Sequence, residues 1–161
     1  MVESTLAYTR TQAERDDQHL SWVRPDRNFF AAGACHILAH VADSLDAHAG
    51  ELVVIAPRDG STGLHVYYRD GGWSFDFNGW AREEDLLAVT WRDYRAVNSH
   101  WDADVVSVDE PLLGLCRNYR MRPPAQYFAP PIDRARAYAG RLGVTMPHDR
   151  RPRRDPSTRH L

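Results

Sequence analysis

The sequence predicts a single α+β domain. Three observations carry that expectation. An alanine-rich, apolar-periodic stretch over residues 28–48 reads as a helix, and the β-branched run over 51–57 reads as a buried strand. Residues 63–77 alternate around a central Asp70–Gly72 turn and read as a hairpin. At 161 residues, with 43% hydrophobic and 26% charged side chains, the chain suits one core.

In chain order, residues 1–19 are polar and read as a flexible lead-in. A single domain spans 20–146, and an Arg-rich tail over 147–161 reads as disordered. Pro25 and Asp26 mark a turn. Asn28 then serves as an N-cap and Gly50 as a stop for the first helix, whose buried stripe is Ile37, Leu38, Val41 and Leu45. Strands follow near 51–57, 63–69 and 73–77. A second helix over 81–97 has acids in its first turn and Arg92 and Arg95 in its last, as the helix dipole favours. Residues 102–111 suit a short strand, 112–121 a short helix or strand, and 123–131 an extended segment. Residues 133–143 suit a third helix.

The net charge of −2 hides an asymmetry. Residues 1–116 hold nine Arg against nineteen acids, whereas residues 117–161 hold eleven Arg against three. The basic tail suits an acidic partner, with nucleic acid a less favoured alternative, or simple solvation. All twenty basic residues are Arg, so Schiff-base and Ser–Lys chemistry are excluded. Only Cys35 and Cys116 are present, with no Cys-x-x-Cys pair. No leader pattern or membrane-length apolar run occurs, which predicts a cytoplasmic protein or one exported without a cleaved signal.

The chemistry-bearing candidates are Cys35, His65 and Asp76. Cys35 lies in GACH, where small residues allow close backbone approach and a helix start would favour thiolate. It falls on the flank of the apolar stripe, beside Ala42. His65 and Asp76 fall on partner strands of the hairpin, close enough for the carboxylate to orient the imidazole. The imidazole would then take the thiol proton and later return one to a leaving group. The backbone N–H of Cys35 would serve the oxyanion, with Asn28 or Gln18 as the second donor, and Trp80 and Trp73 would wall the cleft. A zinc alternative would use His36, His40 and Asp43 with His48 or His100. That face lies opposite the apolar stripe and reads as solvated, so no metal and no cofactor is expected.

The order Cys35, His65, Asp76, with HVYYRDGGWSFDFNGW as a His–strand–turn–Asp hairpin, resembles the papain-like superfamily. It is most similar to the transglutaminase-like and arylamine N-acetyltransferase-like branches. The resemblance covers roughly residues 28–80. It departs at His36, where papain peptidases usually carry Trp, and in the short spacing between the three residues. It implies a papain-like core with the Cys helix packed on a small antiparallel sheet. The implied activity is thiol-dependent acyl transfer on a protein or peptide amide, by a peptidase, deamidase or transglutaminase-like enzyme. A bacterial effector or toxin would fit such a chain. The alternative is a non-catalytic binding protein that uses its Arg-rich C-terminal region.

Overall fold

The computed structural model describes residues 1–145 and shows an α+β fold. The expected tail over 147–161 lies outside the described residues. Five strands form one antiparallel sheet. They are β1 (Glu51–Pro57), β2 (His65–Asp70), β3 (Trp73–Asp76), β4 (Gly79–Arg82) and β5 (Ala103–Val108), in the order β4-β3-β2-β1-β5. Alternation along β1 divides the core in two. Leu52 and Val54 join Val66, Tyr68 and Phe75 on one face, and Val53 and Ile55 join Tyr67 on the other.

The helices are α1 (Gln12–Asp16), α2 (Gln18–Trp22), α3 (Asp26–Ala31), α4 (Cys35–Leu45), α5 (Glu83–Val97), α6 (Leu112–Asn118) and α7 (Pro131–Arg141). Helix α4 packs on β1, β2 and β3 and also against α7, while α5 covers the second face through Leu86 and Tyr94. Among the described residues no helix is long and apolar enough to cross a membrane.

The helix expected over 28–48 is two helices. Gly33, at φ 121°, breaks the chain between α3 and α4, because this left-handed backbone cannot continue a helix. Asn28 therefore sits inside α3, whose N-cap is Pro25, and α4 ends at Leu45 rather than near Gly50. Ala34 is the N-cap of α4 and offers no side-chain hydrogen bond. A missing cap costs about 1 kcal/mol. Each fully buried apolar side chain returns about 1.5–3 kcal/mol, and Ile37, Leu38 and Val41 are all buried. Burial wins, so α4 forms without its cap.

Two further expectations change. The strand β4 was not anticipated, because only Phe77 and Asn78 separate it from β3. The lead-in over 1–19 is packed onto the body. Glu3 N–H donates to Asn78 Oδ1 at 3.0 Å, Ser4 Oγ donates to Asp93 Oδ2 at 2.7 Å, and Thr5 and Tyr94 share a hydroxyl pair at 2.8 Å. Polar composition suggested a solvated segment, but long-range hydrogen bonds hold this one in place.

Gly63 shows how tightly the loop before β2 is built. Its φ is 115°, and a Cβ there would stand 2.9 Å from Trp101 and 3.1 Å from Tyr94. Gly63→Ala is expected to lower unfolding free energy by about 2 kcal/mol, through backbone strain and overpacking. Urea unfolding measures this, and a midpoint equal to wild type would contradict the packing described.

Candidate active site

The site begins at the break before α4. Two contacts tie down the segment that precedes Cys35, and a third fixes the arginine that makes one of them. Arg24 Nη1 donates to Ala32 O at 2.8 Å and its Nη2 to Tyr8 O at 3.0 Å, while Tyr127 Oη donates to Gly33 O at 2.5 Å. Arg24 is itself held 3.7 Å from Glu14. The carbonyls of residues 32 and 33 are thus both engaged, which leaves little freedom in the approach to the cysteine.

Cys35 is the first residue of α4. The first-turn backbone bonds run from Ile37 N and Leu38 N to Ala34 O, at 3.1 and 3.2 Å. The N–H groups of Cys35 and His36 have no acceptor within the helix, as at any helix start. No capping side chain takes them either. They supply positive potential at the sulfur and a donor for a developing oxyanion.

His65 opens β2 and Asp76 closes β3. The β2–β3 register pairs Tyr68 with Phe75, so residues 65 and 76 stand diagonally on one face rather than directly opposite. His65 Nε2 donates to Asp76 Oδ2 at 2.9 Å, and both side chains are almost wholly buried. The second carboxylate oxygen accepts from Asn78 N–H at 2.8 Å, so the β3–β4 turn orients the acid.

This bond leaves Nδ1 as the ring nitrogen available to the thiol. Nδ1 is buried and has no hydrogen-bond partner of regular geometry. The Cys35 sulfur nevertheless interacts with this ring. The two lie within electrostatic reach, and each stabilises the other's charged form.

The electrostatics favour an ion pair. Burial pushes the Cys35 thiol up, but His36 and His65 outweigh it and bring the thiol down to about 5. Burial opposes charge on His65, yet Asp76 and Cys35 raise it to about 10. A thiolate beside an imidazolium is the nucleophilic form of such a pair.

A second histidine completes the arrangement, and its role was not anticipated. His36, expected on a solvated face, is 2% exposed. Its Nε2 donates to Arg122 O at 2.8 Å. Burial disfavours its charge, but Cys116, Cys35 and that carbonyl raise it to about 9. Helix α4 is buried on nearly every side, because α6, α7 and the segment at Arg122 cover the face opposite the sheet, and the stripe inferred from periodicity saw only the sheet side. Among the described residues no cluster of His, Cys, Asp and Glu could hold a metal ion.

Cys35 and His36 line a cavity of about 630 Å³, whose walls also include Gly63, Tyr94, Arg122 and Gln126. His65 and Asp76 are not among its lining residues and stand behind the thiol, so the sulfur is what the cavity presents. The four remaining candidates do not reach it. Asn28 lies within α3 and Gln18 opens α2. Trp80 donates from Nε1 to Gly143 O and Val144 O at 3.2 Å, and Trp73 lies under Arg82 at 4.5 Å. Both tryptophans pack the body away from the cavity. Gln126 is the one amide side chain among the lining residues, and nothing near Cys35 in sequence points to it.

The ion pair predicts a pH profile. The iodoacetamide rate at Cys35, read by peptide mass spectrometry, should stay nearly flat from about pH 6 to about pH 9. An ordinary thiol instead rises about tenfold per pH unit until about 8.5. His65→Ala should lower the rate at about pH 6 at least tenfold. A wild-type profile that climbs like a free thiol contradicts the pair. Comparison with protein-family models, curated proteins and solved structures finds no match for this chain.

Proposed function

We propose that the protein is a thiol-dependent acyl transferase or hydrolase, acting on an amide through a thioester at Cys35. The observation that carries this reading is the placement of Cys35. It stands at an uncapped helix start, on the wall of a cavity, with a buried His65–Asp76 pair behind it.

The steps follow from the groups present. The Cys35 thiolate attacks the amide carbonyl, and the oxyanion takes hydrogen bonds from first-turn N–H groups. As the C–N bond breaks, the His65 imidazolium gives its proton to the departing amine. Water or an acceptor amine then attacks the thioester, His65 takes the incoming proton, and Cys35 leaves as thiolate. Asp76 holds the ring and balances its charge throughout.

The papain-like resemblance agrees with this chemistry and with α4 lying on an antiparallel sheet. A peptidase, a deamidase and a transglutaminase-like enzyme all share the route to the thioester and differ in what resolves it. The basic C-terminal region suits an acidic protein partner, and the cytoplasm or a leaderless export route suits a reduced, reactive thiol.

A nitrophenyl ester is the simplest acyl donor for a test. Wild type should release nitrophenolate and carry an acyl group on Cys35, detectable by mass spectrometry. Cys35→Ala should lose both while keeping its fold. Asp76→Asn should slow turnover by about 10²–10⁴-fold, because the amide can still accept from Asn78 N–H but no longer fixes the ring or its charge. Wild-type release by Cys35→Ala would end the proposal.

A further inference from the structure

The cavity has a property that the thiol chemistry does not require. Arg10, Arg15, Arg120 and Arg122 all line it, and no Asp or Glu does. Arg10 and Arg15 come from the acidic first 116 residues, and Arg120 and Arg122 from the Arg-rich segment that follows. Several arginines elsewhere in the fold meet carboxylates. Arg58 pairs with Asp102 and Asp104, Arg69 with Glu51 and Glu83, and Arg134 with Asp26. Among the described residues the guanidinium groups of Arg10, Arg120 and Arg122 have no ion pair and donate no hydrogen bond.

Two of these four are tied to residues that flank the nucleophile. A Cβ at Gly33 would come within 3.4 Å of the Arg10 guanidinium, so Arg10 covers the backbone two residues before Cys35. Arg122 is anchored through its main chain. Its carbonyl accepts from His36 Nε2 at 2.8 Å and from Cys116 Sγ at 3.7 Å. Its guanidinium lies 5.3 Å from the Tyr127 ring, whose hydroxyl binds Gly33 O. One aromatic residue and one glycine therefore set both arginines beside the cysteine.

The arrangement is unfavourable as it stands. Burial and the charge of Arg122 both lower Arg10 from its ordinary pKa. Glu14 is the acid that relieves Arg10, and its carboxylate already accepts from Thr11 N–H and faces Arg24. Like charges gathered without a counter-charge cost stability unless a ligand compensates them. Guanidinium forks match the oxygens of carboxylates and phosphates.

We propose that this cavity takes an anionic substrate, an acyl donor whose carboxylate or phosphate group lies between Arg10 and Arg122 while its carbonyl meets Cys35. Arg15 and Arg120 extend the positive potential at the mouth and draw such a substrate in. The inference rests on Cys35 as nucleophile and adds the charge of what it attacks.

Paired alkylating reagents separate the two ideas. Iodoacetate carries a carboxylate, whereas iodoacetamide is its neutral counterpart, and both report on Cys35 by peptide mass spectrometry in the full chain. The rate ratio, iodoacetate over iodoacetamide, is compared with that of glutathione at the same pH. The expected ratio at Cys35 exceeds the glutathione ratio at least tenfold, and it falls as salt rises. Arg10→Gln with Arg122→Gln should return it to the glutathione value, whereas Arg92→Gln on the exposed face of α5 should not. Glutarate and inorganic phosphate, added as protectants against iodoacetamide, then tell a carboxylate site from a phosphate site. Reaction with both reagents at the glutathione ratio overturns the anionic substrate and leaves the nucleophile standing. Reaction with neither reagent overturns both.

Discussion

Gly33 adopts a backbone that continues neither of its neighbours, and the site depends on that break. With a regular residue there, α3 and α4 would merge, Cys35 would fall in a helix interior, and its N–H would be spent on a carbonyl one turn back. The break instead makes Cys35 the first residue of a helix with no capping side chain. The donors that a Ser or Asp cap would consume stay available to the sulfur. Burial of α4 against the sheet supplies the stability that the cap would have contributed, so the fold can leave the helix start unsatisfied.

Around that start, neutral and charged groups are held by long-range contacts rather than by their own elements. His65 is fixed from β3 by Asp76, and Asp76 from the next turn by Asn78. Asn78 is bonded in turn to Glu3, which reaches Arg27 as well. The chain's first residues thus brace the turn that orients the acid behind the histidine. Polar segments of this kind are specific only when every member is paired, and this set is paired except at His65 Nδ1, the nitrogen next to the thiol.

Charge is distributed with the same division. Acid-paired arginines tie the framework together, whereas Arg10, Arg120 and Arg122, with no ion pair among the described residues, line the cavity that Cys35 opens on. Two imidazoles interact with the sulfur, and four arginines line the cavity it opens on. A thiolate is therefore the species the surroundings favour, and the anionic ligand we propose would meet the same positive potential.

Periodicity and local chemistry were enough to read β1, the β2–β3 hairpin, α5 and α7, because alternation and helical spacing act over a few residues. The hairpin also made the His65–Asp76 pairing legible, since a short turn fixes which residues can meet. What lies between residues distant in the chain was not legible. Cys35 reads near a helix start in the sequence, but its place as the first residue of α4 needed Gly33 to take a left-handed backbone, where composition alone favoured one continuous helix from Asn28. His36 looked solvated by helical count and is buried because α6, α7 and the segment at Arg122, distant in the chain, cover its face. Arg10, Arg122 and Gln126 stand 25, 87 and 91 residues from Cys35 along the sequence. Only folding brings them to one cavity, because side chains gather there through packing of α3, α4 and the segment after α6, and no local pattern encodes that meeting.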